Sequence, residues 1–126
     1  MYNLNQNIKS DQGKLKLSLA PTQIIKNIAL VREYGIEKYG DKESWKSVDI
    51  QRYKDAAYRH FLAYIDDSGS IDEESGLPHL YHLACNIAFL SELEKFEVFE
   101  LISEGKVRAR EFSKVGKTVN EMNEGE

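Results

Sequence analysis

Several features that would narrow the class of this 126-residue chain are scarce or missing. Its single cysteine, Cys85, excludes an internal disulfide, which is usual for proteins of reducing compartments. No stretch approaches the roughly 18 apolar residues of a membrane-spanning helix, and the polar start MYNLNQNIKSDQGK has no apolar signal-peptide core. The net charge of -4 is opposite to the basic balance of general DNA and RNA binders. We therefore expect a cytoplasmic protein whose partner is neither a membrane nor a nucleic acid.

Familiar phosphate and metal motifs are missing as well. The sequence contains no Walker A loop, no GxGxxG, no CxxC pair and no HExxH. No Ser–His–Asp arrangement can be argued from the spacing of these residues. A candidate site therefore has to be sought among side chains that the fold brings together.

The few turn-forming residues divide the chain into three helices. Pro21 suits the first turn of a helix that runs to about residue 39, where Gly40 suits a C-terminal cap. Asp49 is a suitable N-cap for a second helix over about 50–65, and a third helix starts near Pro78. Three helices with short connections predict an all-α antiparallel bundle.

Apolar residues give the first two predicted helices one buried face each. The third helix is apolar nearly all round, so a single layer of three helices cannot cover it, and we expect another chain to complete the core as a homo-oligomer, a dimer or larger. The predicted apolar stripes are Ile24, Ile25, Ile28, Val31 and Gly35 in the first helix, and Tyr53, Ala57, Phe61, Tyr64 and Ile65 in the second.

The chain shows no internal repeat and no linker between domains. We expect a flexible N-terminal arm over residues 1–13, one helical domain over 14–112 and a polar tail over 113–126. Within that domain, residues 96–112 fit a helical extension or a short β-hairpin equally well, because their glutamates favour helix while Phe and Val favour strand.

The stretch ESGLPHLYHLACN is the sharpest candidate for a binding site. His79, His82 and Asn86 follow Pro78 at helical spacing and therefore share one face. Free N–H groups at a helix start favour an anion, and two histidines there can donate to phosphate or bind a metal. The alternative is that the histidines cap and pack the helix while Asn86 bonds a neighbouring helix.

The second helix offers another candidate. Arg59 and His60 stand among aromatic residues, and Arg52 lies seven residues before Arg59 on the same face. Arginine suits bidentate phosphate recognition. The alternative for Arg59 is a surface ion pair with Asp55, four residues earlier.

The end of the first helix carries carboxylates. Glu33 and Glu37 share a face, as do the paired carboxylates that hold Mg²⁺ in many helical nucleotide hydrolases, although such pairs are also common on solvated surfaces. Lys38 and Tyr39 can contact a phosphate and stack on a base. Trp45 can stack too, or it can serve as a packing anchor.

Near the C-terminus, KVRAR places three cations at alternate positions. Arg108 and Arg110, with Lys106, point the same way if this segment is extended. They form either a phosphate clamp that reaches another subunit or a solvated basic segment.

The order of these motifs carries a resemblance. GKLKLSLAPTQ, YGIEKYGDKESW, RYKDAAYRHFLAYI and IDEESGLPHLYHLACNIAFLSELE follow one another over about residues 13–95. In this combination the chain resembles the phage-borne family known as the N-terminal domain of dATP/dGTP diphosphohydrolase. Its matching positions are Lys38, Tyr39, Gly40, Trp45, Arg59, His60, Glu74, His79, His82 and Asn86.

The resemblance implies an all-α enzyme related to the MazG-type pyrophosphohydrolases. Such an enzyme releases pyrophosphate from a purine deoxynucleoside triphosphate with Mg²⁺ or Mn²⁺, in the host cytoplasm if the gene is a phage's. In the leading hypothesis Glu33, Glu37 and Glu74 hold the metal ion. His79 then acts in catalysis beside Arg59 and His82, which bind the polyphosphate.

Two other classes of function stay open. The helices that follow Glu33 and Glu37 offer arginine and histidines instead of a second acidic set. That inventory also suits a non-catalytic, metal-free sponge that sequesters cyclic ADP-ribose-type or cyclic oligonucleotide signals, as phage Thoeris anti-defence proteins do. The third class is a helical interaction module without a ligand.

Overall fold

The structure is a computed structural model, and it describes residues 14–95. Three α-helices occur there: α1 (Gln23–Tyr39), α2 (Ile50–Asp66) and α3 (His79–Leu93), with short 3-10 turns at Leu17–Leu19 and Ser44–Ser47. The described residues form no strand, only an isolated antiparallel bridge between Ile71 and Pro78. The predicted all-α fold with three main helices is therefore confirmed.

Some of the predictions fall on other parts of the chain. The arm at 1–13, the helix-or-hairpin segment at 96–112 and the tail at 113–126 lie outside the described residues. By its internal contacts the chain divides into two units, Ala20–Glu94 and a second unit formed by Met1–Leu19 with Lys95–Glu126. The three helices and all side chains discussed below belong to Ala20–Glu94.

The helix ends follow the signals in the sequence. Gly40 has a left-handed backbone with φ 73°, and its N–H donates to the Ile36 carbonyl at 2.7 Å. The Asp49 carboxylate accepts from the Gln51 N–H at 3.0 Å, as an N-cap does. Pro78 directly precedes α3. Gly40 and Asp49 are thus confirmed as caps, and α3 begins next to Pro78 as predicted. The prediction for Pro21 is wrong, because α1 begins only at Gln23, so that Pro21 lies before the first turn and not in it.

Helix α3 lies between the other two and packs on both. Near the start of α2, Tyr53 contacts Phe89 late in α3, whereas His60 further along α2 stacks on His82 early in α3. The order of these contacts shows that α2 and α3 run antiparallel.

Helix α1 is antiparallel to α3 as well. Arg32 lies over the Phe89 ring at 5.4 Å, and Tyr34, later in α1, meets His82 edge to face. Because both outer helices oppose α3, they run in the same direction. The connection over 40–49 carries the chain back along the bundle, with Trp45 stacked on Phe89 on the way.

The core of this layer is small. Its buried side chains are Val31, Ala57, Cys85 and His82. The predicted stripes are correct at Val31 and Ala57 and wrong at Ile24, Ile25, Phe61 and Ile65, which are exposed. The physical reason is that, among the helices of residues 14–95, α1 and α2 each pack mainly against α3, so a stripe about 100° wide is covered only in part.

Even the central helix keeps apolar surface. Leu80 is 39% and Ile87 is 49% exposed. The homo-oligomer that this surface suggests stays a prediction. No helix among residues 14–95 is long and apolar enough to cross a membrane.

The two glycines of α1 give opposite predictions for stability. Gly40→Ala forces a Cβ into a left-handed backbone and should lower the free energy of unfolding by about 1 kcal/mol or more. Gly35→Ala, in the helix interior, meets nothing closer than Arg32 Nη1 at 3.9 Å and should raise it by roughly 0.5–1 kcal/mol. Urea unfolding of both variants measures the difference, and a loss of equal size in both would contradict the assignment.

Candidate functional site

A cavity of about 510 Å³ opens among α1, the turn Ser44–Ser47, α2, the loop before α3, and α3 itself. Its volume is in the range of sites that hold small organic ligands. Eight of the predicted site residues line it: Lys38, Tyr39, Trp45, Arg59, His60, Glu74, His82 and Asn86. The motif blocks that are far apart in the sequence therefore converge on one cavity.

Five other predicted site residues are not among those that line the cavity. His79 does not line the cavity but contacts His60, which does. Arg108 and Arg110 lie outside the described residues. Glu33 and Glu37 are exposed and do not line the cavity.

The position of the two glutamates follows from helix geometry. Val31 and Gly35 face the cavity, and residues two apart on a helix point in widely different directions. Glu33 and Glu37 each lie two residues after one of them and so point away. The stripe of Val31 and Gly35 continues instead to Lys38.

The sequence analysis missed several residues of the lining. Arg32 and Tyr34 flank Glu33, and Asp72, Asp41 and Phe89 complete the walls. Extending the Val31 stripe by helical spacing would have found Arg32 and Tyr34. Asp72 had no such signal, because its position depends on the path of a loop.

That loop is closed by its own hydrogen bonds. Asp72 accepts from the Ser75 N–H at 3.0 Å through its carboxylate, and from the Gly76 N–H at 2.8 Å through its carbonyl. Gly76 has φ 75°, which glycine adopts without strain. The His79 N–H donates to the Ser70 carbonyl at 3.1 Å. The first backbone N–H of α3 is therefore already hydrogen-bonded to the loop. It is one of the N–H groups that were predicted to bind an anion at this helix start.

All three histidines of the chain meet beside the cavity. His60 Nδ1 lies 2.8 Å from His79 Nδ1, and the His60 ring stacks on His82 at 4.7 Å. His82 Nε2 lies 2.6 Å from Ser75 Oγ. Asn86 donates from Nδ2 to the His82 carbonyl at 2.8 Å within its own helix, not to a neighbouring helix. The Nδ1–Nδ1 hydrogen bond needs one ring as acceptor, so that ring is neutral.

The surroundings keep the two histidines of the lining uncharged. Burial, reinforced by His82 and His79, lowers the pKa of His60 to about 4. Burial also lowers the pKa of His82, although Asp72 opposes the shift. For Asp72, burial favours a higher pKa, but hydrogen bonds from Ser75 outweigh it and lower the pKa. Near pH 7 the positive charge of the cavity therefore comes from arginine and lysine.

Two arginines of α2 supply part of that charge. Arg52 and Arg59 line the cavity seven residues apart, and no carboxylate among residues 14–95 pairs with either. The alternative ion pair of Arg59 with Asp55 does not form, and Asp55 instead accepts from the Gln51 side-chain amide at 3.0 Å. Both guanidinium groups can therefore bind an anion.

The aromatic residues of the lining divide into packing and open rings. Trp45 stacks on Phe89 with centroids 4.6 Å apart, and its carbonyl accepts from the Tyr53 hydroxyl at 2.6 Å. Trp45 is thus held as a packing anchor, with one ring face covered. Tyr39 is 68% exposed, with Lys38 Nζ 5.0 Å from its ring centroid, and offers the open ring.

The carboxylates of the cavity do not form a metal centre. Across residues 14–95, no three side chains of His, Cys, Asp or Glu are placed to hold a metal ion together. Glu74 instead forms an ion pair with Lys38, and hydrogen bonds from Lys38 and Tyr34 lower the pKa of Glu74. The predicted set of Glu33, Glu37 and Glu74 is not gathered in this part of the chain.

The neutral histidines predict a fall in stability at mild acidity. Unfolded His60 has a pKa near 6.5, against about 4 when folded, so the unfolded chain takes up protons first as the pH falls through this window. The stabilisation that the neutral His60 ring gives the folded chain is complete above about pH 6.5 and is lost toward pH 4. In the His60→Asn variant, the free energy of unfolding, measured with urea, should fall less between about pH 7 and pH 5 than in the wild type. A smaller fall should remain in this variant, because the pKa of His82 is also lowered by folding.

Tyr58→Asn is the matched control, since Tyr58 is 69% exposed on the same helix. This control should keep the wild-type slope. An unchanged slope in His60→Asn would contradict the assignment of a buried neutral ring.

Comparison with known proteins adds the family. The family model described as "dATP/dGTP diphosphohydrolase, N-terminal" matches residues 4–100. A protein of Salmonella phage PMBT28 named dATP/dGTP diphosphohydrolase is 39% identical over 83 residues, which cover 66% of this chain and 28% of that relative. The chain thus spans less than a third of the relative's length. No solved structure matches.

The family match covers two blocks of the sequence that line the cavity. One block ends α1 at Lys38 and Tyr39, and the other holds Glu74, His82 and Asn86. Because the match over residues 4–100 takes in well over half of the sequence, this chain belongs to the dATP/dGTP diphosphohydrolase N-terminal family.

Proposed function

We propose that this chain binds a purine deoxynucleoside triphosphate in the cavity, as the nucleotide-holding part of a diphosphohydrolase-type protein. The observation that carries the proposal is the pair of arginines on α2, Arg52 and Arg59, which line the cavity without a carboxylate partner among residues 14–95. Guanidinium groups bind phosphate oxygens in bidentate fashion, and they stay charged at any physiological pH.

The rest of the lining fits the other parts of such a ligand. Tyr39 offers an exposed ring on which a base can stack. Asn86 donates through its Nδ2, and its Oδ1 accepts nothing from the described residues, so it can accept from a purine amino group. These two residues lie on α1 and α3, and the arginines lie on α2.

Hydrolysis is the further step that the family name suggests. It calls for Mg²⁺ or Mn²⁺, and residues 14–95 offer no group of three ligands for such an ion. In this proposal the described residues bind and orient the triphosphate. The histidines lie beside the phosphate-binding face as hydrogen-bonding groups, with His60 and His82 neutral.

The same observation favours a second candidate function. A cavity lined by cations, aromatic rings and neutral imidazoles also suits sequestration of a cyclic ADP-ribose-type or cyclic oligonucleotide signal, without a metal and without cleavage. In this candidate function the bound ligand is released intact, whereas in the first the triphosphate is held by a diphosphohydrolase-type protein. Both candidate functions use the arginines and the open tyrosine ring.

One experiment separates the candidates. Purified protein is incubated with dATP, dGTP and the cyclic signals, each with Mg²⁺ or Mn²⁺, and the small molecules are analysed before and after heat denaturation. Monophosphate and pyrophosphate support hydrolysis of the triphosphate. Intact triphosphate returned on heating supports binding alone, and an intact cyclic signal supports sequestration. Absence of binding to dATP and dGTP overturns the main proposal.

The arginines give the mutational prediction. Arg59→Ala and Arg52→Ala should each weaken dATP binding by about tenfold or more, because each removes a charge-assisted contact to phosphate. Isothermal titration calorimetry measures the dissociation constants. Lys54→Ala is the matched control, since Lys54 is a cation of the same helix that pairs with Glu94 away from the cavity. Equal affinities in all three variants would contradict the proposed phosphate site.

A further inference from the structure

Lys38 and Glu74 form an ion pair across one wall of the cavity. Lys38 ends α1 and Glu74 belongs to the loop before α3, 36 residues later, and both side chains line the cavity. Their side chains are 38% and 61% exposed, so water and solutes reach the pair. Glu74 is the one carboxylate that pairs with Lys38 among residues 14–95.

We infer that Glu74 is a placeholder for phosphate: an anionic ligand takes Lys38 from Glu74 as it enters the cavity, and this exchange breaks the ion pair between α1 and the loop before α3. The inference rests on the proposed function, because it assigns the polyphosphate as the competing anion. It gives Glu74 the role of a competitor of the ligand instead of the predicted role of a metal ligand.

The energies favour such an exchange. An exposed ion pair contributes only about 0–1 kcal/mol, because water solvates both partners and holding two long side chains costs entropy. A triphosphate that is already bound to Arg52 and Arg59 brings several negative charges close to Lys38. It then outcompetes a single carboxylate at small cost.

The loop is built to survive the loss of the pair. Its turn is closed by the hydrogen bonds of Asp72 to the Ser75 and Gly76 amides, which do not involve Glu74. Tyr34 also donates to Glu74 and remains as its partner when Lys38 leaves. The exchange therefore strands no buried charge.

The contrast with the arginines supports the assignment. Arg52 and Arg59 have no carboxylate partner among residues 14–95, whereas Lys38 already pairs with Glu74. A cation that already pairs with a carboxylate of the protein binds an anionic ligand less tightly, because that ion pair has to be broken first. Removing Glu74 should therefore strengthen anion binding, which is opposite to the result expected if Glu74 touched the ligand or a metal.

The test is a double-mutant cycle measured by isothermal titration calorimetry with dATP, dGTP and inorganic triphosphate. Glu74→Gln should tighten binding by about two- to fivefold, the range that an exposed pair can supply. Lys38→Gln should weaken it by about tenfold. In the Lys38→Gln background, Glu74→Gln should change nothing, because the competitor then has no cation to withhold.

Glu43→Gln is the matched control. Glu43 forms another exposed ion pair, with Lys46, and neither residue lines the cavity, so loss of this pair should leave ligand affinity unchanged. Thermal unfolding of each variant confirms that the chain is folded at the titration temperature.

The outcomes separate this inference from the proposed function. If dATP or dGTP binds the wild type and the Glu74→Gln variant binds it equally or more weakly, the placeholder role of Glu74 is overturned. The proposed function is then unaffected. If inorganic triphosphate binds and its affinities follow the expected double-mutant cycle, while neither dATP nor dGTP binds, the placeholder role is upheld. The proposed function is then overturned. Absence of binding by all three probes overturns both.

Discussion

The contacts of one buried ring, His82, join the three helices and the loop before α3 around the cavity. The ring belongs to α3, stacks on His60 of α2, meets Tyr34 of α1 edge to face and lies within hydrogen-bond distance of Ser75 in the preceding loop. Few other side chains of the described layer are buried as deeply. A polar ring at this position restricts the orientation of its neighbours, because its hydrogen bond to Ser75 and its stacking on His60 have to be satisfied together.

In this arrangement the histidines shape the wall of the cavity and the arginines and lysine carry its positive charge. Burial keeps His60 and His82 neutral near pH 7, so they shape the wall without adding charge. The charge is carried by residues on the more exposed rim, among them Arg52, Arg59 and Lys38. Placing the cations where water reaches them avoids the large cost of burying unpaired charge.

Much of the fold could be predicted from the sequence because caps and turns act locally. Gly40 and Asp49 end and begin helices through hydrogen bonds to residues close in sequence. The face of α1 was predicted less well, since Glu33 and Glu37 suggested chemistry, while packing against α3 turns Val31 inward and the glutamates outward.

The loop before α3 was the least predictable part of the candidate site, because its shape depends on bonds among its own residues and on a partner 36 residues away. Asp72 and Ser75 carry no periodic signal, yet they lock the turn that presents Glu74 to Lys38. The histidine bonds occupy at least one nitrogen of each ring and hold the rings in place. A ligand therefore meets fixed rings and movable cations, and any structural response to binding should begin at the lysine and its carboxylate partner.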